Sequence, residues 1–365
     1  MNTNKHFKNG NLLKLVAFFM IAFIIVYAIA FAAHGWQSPT QDPDSDDAAN
    51  KNGDVDENTD GNQDVPTIAP TPEYLHYITG MATTKEVCTT KPLCFVFDSL
   101  GQAYGYSNAY LTIEIPTENS GTRLLCFMDS VDSLCKIGAI LPTRRYMDGI
   151  VHAFGGVVVA NGSDDGFDYS VNSIGGTVLD LSQEYGLHYT EYGSYVYSNG
   201  ELMSAYEREM WNPIAHSLPY ELCALGENYT PTGAKANTVL ISFGDSNSTE
   251  LSYSQESKRY TLMKNGTVRT DALNNRSVEY DNVFILTCDS STTETSEFTK
   301  TVMNTDNGGT GYYISRGRVI KINWQINSDG TLVFLDESGE KLSVNRGTSY
   351  IAYVKSSKPQ SIKIL

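Results

Sequence analysis

The sequence predicts an α+β protein with an N-terminal membrane helix, a mixed α/β domain and then an antiparallel β-rich domain. Three observations predict it. Residues 15–33 form an apolar run without a single charge. Strand-like and helix-like patterns alternate from Tyr74 to about Gly226. Beyond the Pro- and Gly-bearing hinge Thr230–Ala236, only period-2 runs and tight-turn signals follow.

The apolar run comes first in the chain. Residues 15–33, LVAFFMIAFIIVYAIAFAA, rise about 1.5 Å each as a helix, roughly 28 Å in all, against a hydrocarbon layer of roughly 30 Å. Lys5, Lys8 and Lys14 precede the run and the first charges after it, Asp42 and Asp44, are acidic. The positive-inside rule then places residues 1–14 in the cytoplasm and the remainder outside, at the cell membrane. The rival is a cleaved signal peptide, since Ala30-Phe31-Ala32 fits a small-x-small site, although signal h-regions are shorter than this run. A lipid anchor would need a cysteine directly after the run, and the first cysteine is Cys88.

Residues 34–73 read as an acidic disordered linker. Between Asp42 and Asp64 nine acidic residues face one lysine, so the segment repels itself and has almost no aliphatic surface to bury. Asp56-x-Asn58-x-Asp60-Gly61 imitates the start of a calcium loop, but the twelfth position is Thr67 where a bidentate carboxylate is required. The segment therefore reads as a spacer.

The first folded domain is expected over 74–229. Its strands are Cys94–Asp98, Tyr110–Ile115, Arg123–Met128 and Gly156–Ala160; its helices span Arg144–Phe154 and Gly200–Trp211, the latter stopped by Pro213. The second is expected over 236–365. Val239–Phe243 is a continuous apolar run, which predicts a buried strand, and Asn265-Gly266 and Asn327–Gly330 signal hairpins. Ile320, Ile322, Trp324 and Ile326 alternate with Lys321, Asn323 and Gln325, a strand with one wet face.

Composition narrows function. The net charge of −16 excludes nucleic acid as an electrostatically driven partner and disfavours anionic polymers. Six cysteines (88, 94, 126, 135, 223, 288) permit short-loop disulfides such as Cys88–Cys94 or Cys126–Cys135, but buried free thiols are the expectation for most of them. Without a CxxC or His-x-His pattern, no metal site and no cofactor is expected.

Two blocks carry a family resemblance. The first, Lys91–Gly162, holds SGTRLLCFMDS, KIGAILPTRRYMDG and VVVANGS; the second, Tyr280–Val354, holds YDNVFIL, GTGYYISRGRVIKINW and FLDESGEKLSVNRGTSYIAYV. In these blocks the chain resembles the YerB-like family of bacterial extracytoplasmic proteins, whose function is unknown. The resemblance implies an N-terminal α/β domain and a C-terminal β-rich domain. It matches Arg123 and Arg144 to arginines of the family pattern and His216 to a downstream histidine. The chain departs at Leu141, where a second arginine is usual, and at Val159, where a histidine usually precedes the turn now written Ala160-Asn161-Gly162-Ser163. An altered anion or sugar site is what these departures imply.

Candidate binding residues are accordingly Arg123, Arg144, Asn161, His216, Tyr195 and Tyr197. Two arginines suit bidentate recognition of a carboxylate or phosphate, unless they pair with Glu114 or Asp148. Tyr195 and Tyr197 share one face of a strand, where exposed rings stack on sugars or anchor a protein, or else pack into the core. Asp164, Asp165 and Asp168 cluster in a Gly- and Ser-rich turn without a recognisable catalytic partner, and no nucleophile motif accompanies His152, His188 or His216. The expected function is therefore a non-catalytic envelope module binding cell-wall glycan, peptide or a surface protein. The alternative is an extracytoplasmic hydrolase of cell-wall material.

Overall fold

β1 (Leu93–Asp98) is apolar at five successive positions because it is buried on both faces, and the rest of the fold is arranged around it. The computed structural model describes residues 72–163, 178–184, 186–191, 193, 195–203, 218–294, 299–327 and 331–365. The expected membrane span, the spacer up to residue 71, the calcium-like loop, the Asp164–Asp168 cluster, His216 and most of the Gly200–Trp211 helix lie outside the described residues. Among those described, no helix is long and apolar enough to cross a membrane.

α1 (Lys85–Thr89) precedes β1, and β2 (Leu111–Pro116), β3 (Thr122–Met128) and β4 (Ile137–Ile140) lead to α2 (Arg145–Ala153) and β5 (Val157–Ala160). Short strands follow: β6 (Val178–Asp180), β7 (Tyr189–Glu191), β8 (Tyr195–Ser198) and β9 (Glu221–Leu222). Next come β10 (Thr238–Gly244), β11 (Asn247–Tyr253), β12 (Tyr260–Lys264), β13 (Thr267–Val268) and β14 (Glu279–Tyr280). Then β15 (Asn282–Glu294), β16 (Thr299–Asn304), β17 (Gly309–Ser315), β18 (Arg318–Ile326) and β19 (Leu332–Leu335) follow. The chain closes with β20 (Ser343–Val344), β21 (Ser349–Lys355) and β22 (Ile362–Ile364).

A 14-stranded sheet runs β19-β18-β17-β15-β21-β2-β3-β1-β4-β8-β7, with β16, β5 and β6 off this path. β21 lies parallel to both β15 and β2, so hydrogen bonding continues across the hinge at residues 230–236. A six-stranded sheet, β13-β12-β11-β10-β22 with β14, forms a second layer. Alternate residues of β1 and β3 feed two cores. Phe95, Phe97, Leu124 and Cys126 meet Val239, Ile241, Leu251 and Leu262 of the second sheet. Cys94, Val96, Leu125 and Phe127 meet Met147, Ile150, Val151 and Phe154 of the α2 region. α2 ends where Gly155, at φ 72°, takes the left-handed conformation that stops a helix.

Several expectations change. Among the described residues the fold is β-rich, with α1 and α2 of five and nine residues and a helical start at residues 200–203, where the Gly200–Trp211 helix is expected to begin. The second part is not purely antiparallel, because β21 enters the sheet in parallel. Within Val239–Phe243 only Val239 and Ile241 are buried, with Leu240 and Phe243 half-buried and Ser242 exposed, since β10 covers the core with one face and leaves the other outside. The cysteines do not change: all six are free thiols, as expected for most of them. Cys94 and Cys126 are fixed within the sheet with their side chains in opposite cores, and burial pushes the Cys126 thiol up to about 12.

A buried polar network joins the two sheets. Glu114 on β2, fully buried, accepts hydrogen bonds from Lys264 Nζ (2.7 Å), Thr122 Oγ1 (2.5 Å), Thr249 Oγ1 (2.7 Å) and the Tyr350 hydroxyl. Lys264 Nζ also donates to Asn247 Oδ1 and Thr249 Oγ1, both at 2.8 Å. Burial alone raises the Glu114 pKa, but the Lys264 ammonium and the hydroxyl donors outweigh it and hold the carboxyl below its ordinary value.

Candidate functional site

The C-terminal end of β1 opens into a loop, residues 99–104, with a cleft on each side. The first cleft, about 360 Å³, is lined by Asp98, Gly101, Gln102, Tyr104, Ala139, Leu141, Tyr195 and Tyr197. Tyr195 and Tyr197 reach it together because they are two apart on β8, while Val196 between them points into the core. Tyr195 is 54% exposed and Tyr197 is 5% exposed, so one ring is presented and the other is built into the wall.

That wall is preformed. Tyr197 stacks on Tyr189 across the strand pair (centroids 6.0 Å, 26°) and meets Tyr104 edge-on (6.0 Å, 79°). Lys136 Nζ sits 4.1 Å from the Tyr197 ring centroid and 4.4 Å from that of Tyr104, paired with the Glu191 carboxylate. Gly138 makes the packing possible: its φ of 140° suits glycine, and a Cβ there would lie 2.7 Å from Tyr197 Cδ1. Tyr104 is held by reciprocal backbone hydrogen bonds with Gly138, and Asp98 Oδ1 accepts from the Leu100 amide (2.9 Å).

The other expected residues are placed elsewhere. Arg123 stands opposite Asp98 in the β1–β3 register and does not line the cleft. Arg144, 5% exposed, binds Glu118 (Nη2 to Oε2, 2.7 Å) rather than Glu114 or Asp148. Glu118 also accepts from the Thr301 amide; burial raises its pKa, but the Arg144 hydrogen bond and these amides bring the carboxyl below its ordinary value. Arg144 is thus engaged by Glu118, while Arg123 sits in the strand register opposite Asp98. Asn161 is half-buried and its amide donates to the Leu141 carbonyl (3.2 Å). Leu141 presents an apolar side chain to the cleft, and Val159 is a fully buried core residue. His216 lies outside the described residues.

One histidine resembles part of a catalytic triad. His76 Nε2 lies 2.9 and 3.0 Å from the two Asp129 carboxylate oxygens. Its Nδ1 accepts from the Ile78 and Thr79 amides, both at 3.1 Å, so the lone pair a general base needs is already used. The pair is structural.

Asp98, Gln102 and Tyr104 escaped the sequence reading. The available signal was a carboxylate ending an apolar strand just before a glycine-bearing loop, a common position for binding groups. Together these residues supply ring faces for stacking, with a carboxylate and an amide to hydrogen-bond hydroxyls.

Residues 239–351 match a family model described as the C-terminal domain of a protein of unknown function, DUF3048. The crystal structure of the YerB protein from Bacillus subtilis superposes with a TM-score of 0.67, covering 80% of this chain and 100% of that one at 19% sequence identity. The fold is that of YerB. The YerB-like resemblance in the sequence thus extends to the three-dimensional arrangement and to the matched C-terminal segment. No curated protein matches the chain in sequence.

Proposed function

We propose that this chain is a membrane-anchored extracytoplasmic binding protein whose tyrosine cleft takes a cell-wall glycan without cleaving it. The anchor is the apolar run 15–33 with lysines on its cytoplasmic side, and residues 34–73 hold the folded part away from the membrane. The observation that carries the binding role is the exposed Tyr195 ring beside Tyr104, Gln102 and Asp98 in one preformed cleft. A pyranose ring stacks its C–H face on such an aromatic platform while its hydroxyls bond the adjacent carboxylate and amide. Asp98 is the one carboxylate lining the cleft among the described residues, whereas glycosidic cleavage ordinarily uses two.

Residues 69–365 form one compact unit, so the fragment 73–365 is suited to the test. Incubated with purified sacculi, it is expected to sediment with them intact. Tyr195→Ala should lower retention about tenfold or more while leaving the melting temperature unchanged, because that ring is mostly solvent-exposed. Release of muropeptides into the supernatant would overturn the non-catalytic reading. Neither retention nor release would direct the search to protein partners at the membrane surface. Reporter fusions after residue 34 test the topology, with an outside-active enzyme expected to be active.

A further inference from the structure

The second cleft beside the 99–104 loop, about 340 Å³, shares Gly101, Gln102 and Tyr104 with the first. Its remaining lining is Leu100, Lys264, Thr267, Val268, Arg269, Thr270, Ala272 and Asn275, two cations and no acid. The charge of Lys264 is already matched by Glu114. Arg269 differs. It is 8% exposed, and its Nη2 donates to the Asp98 carbonyl (3.1 Å) while its Nε is buried without a hydrogen-bond partner. Among the described residues no carboxylate lies within ion-pair distance of it; besides the Asp98 carbonyl, the Tyr106 ring centroid lies 5.6 Å from its Cζ. Asp271, two residues on, is saturated by the Gly105, Ser107 and Leu273 amides and the Ser107 hydroxyl.

A buried guanidinium without a counter-ion is costly, and in a chain of net charge −16 the absence of a matching acid at this cation stands out. We infer that Arg269 is an anion subsite, and that the two clefts form one groove over the loop for a sugar chain bearing a carboxylate. The neutral part of the ligand lies on Tyr195 and Tyr104, and the carboxylate lies in the second cleft against Arg269, Thr267, Thr270 and Asn275. The net negative field repels polyanions at long range, so the site selects one carboxylate at short range. Arg269 serves in this role where Arg144, bound to Glu118, does not.

This ligand class rests on the glycan reading of the tyrosine cleft, and the test separates the two. Full-length protein is first titrated with sodium acetate, following the ¹H–¹⁵N resonance of the Arg269 Nε–H, identified by its loss in Arg269→Lys. A saturable shift not reproduced by sodium chloride is expected; a flat titration overturns the anion subsite whatever the groove binds. The protein is then titrated with chitotetraose and with a peptide-free tetrasaccharide alternating N-acetylglucosamine and N-acetylmuramic acid, which adds lactyl carboxylates. About tenfold tighter binding of the acidic sugar is expected, abolished by Arg269→Gln and retained in Lys363→Gln, an exposed cation on β22. Equal affinities, or a preference that survives Arg269→Gln, overturn the acidic-sugar assignment. Binding of neither sugar, with the acetate shift intact, overturns the glycan reading and the shared groove but leaves the anion subsite standing.

Discussion

Glu114 shows how one residue ties two layers together. Its carboxylate and the Lys264 ammonium are both buried, 0% and 6% exposed, so each is tolerated only because the other is there. Glu114→Gln leaves that ammonium unmatched and is expected to cost about 3–5 kcal/mol by urea denaturation. Glu114→Gln combined with Lys264→Met removes both charges and should recover most of the loss. The pH dependence follows from the same pair. The folded pKa of Glu114 lies below its unfolded value, about 4.3, so its stabilisation is present above that pH and disappears as pH falls through the folded value. Midpoints measured from pH 7 to pH 3 should fall more steeply in wild type than in the double variant. None of this was legible locally: Glu114 reads as an ordinary polar position of an alternating strand, and its partner lies 150 residues away.

At the scale of elements, legibility follows burial pattern. β1, β3, α2 and β18 stand close to where apolar period and turn chemistry put them, because each buries a face that local sequence encodes. The tyrosine pair on β8 was readable as a shared face, whereas the loop and the strand completing the cleft were not. Tyr104 and Ala139 join Tyr195 and Tyr197 only through pairing between segments. Arg144 is a different case, a cation whose type suggested a ligand and which the fold pairs with Glu118. Arg144→Ala should lower stability by about 1.5–3 kcal/mol, the range of a hydrogen bond to a charged group, without changing sacculus binding. Gly138→Ala should do the reverse of Tyr195→Ala in one respect: it should lower the melting temperature as well as binding, by displacing the Tyr197 ring.

At the scale of the molecule, the sheet does not respect the change of texture at residues 230–236. β21 pairs with β15 on one side and β2 on the other, so the early and late parts share backbone hydrogen bonds as well as both cores. Calorimetry of residues 73–365 is therefore expected to show one transition with equal calorimetric and van't Hoff enthalpies. Two resolved transitions would show the halves to be energetically separate. Sequence periodicity cannot report this, since the period of a strand says which face is buried but not which strand lies beside it.

The position of β21 also sets an order of events during synthesis. Tyr350 meets Glu114 across 236 positions of chain, so β2 is made long before the strand that covers it. Until β21 has been made, β2 stands as an open strand edge with its carboxylate unmatched, exposed to pairing with neighbouring chains. A sheet closed by so distant a pairing is expected to fold slowly.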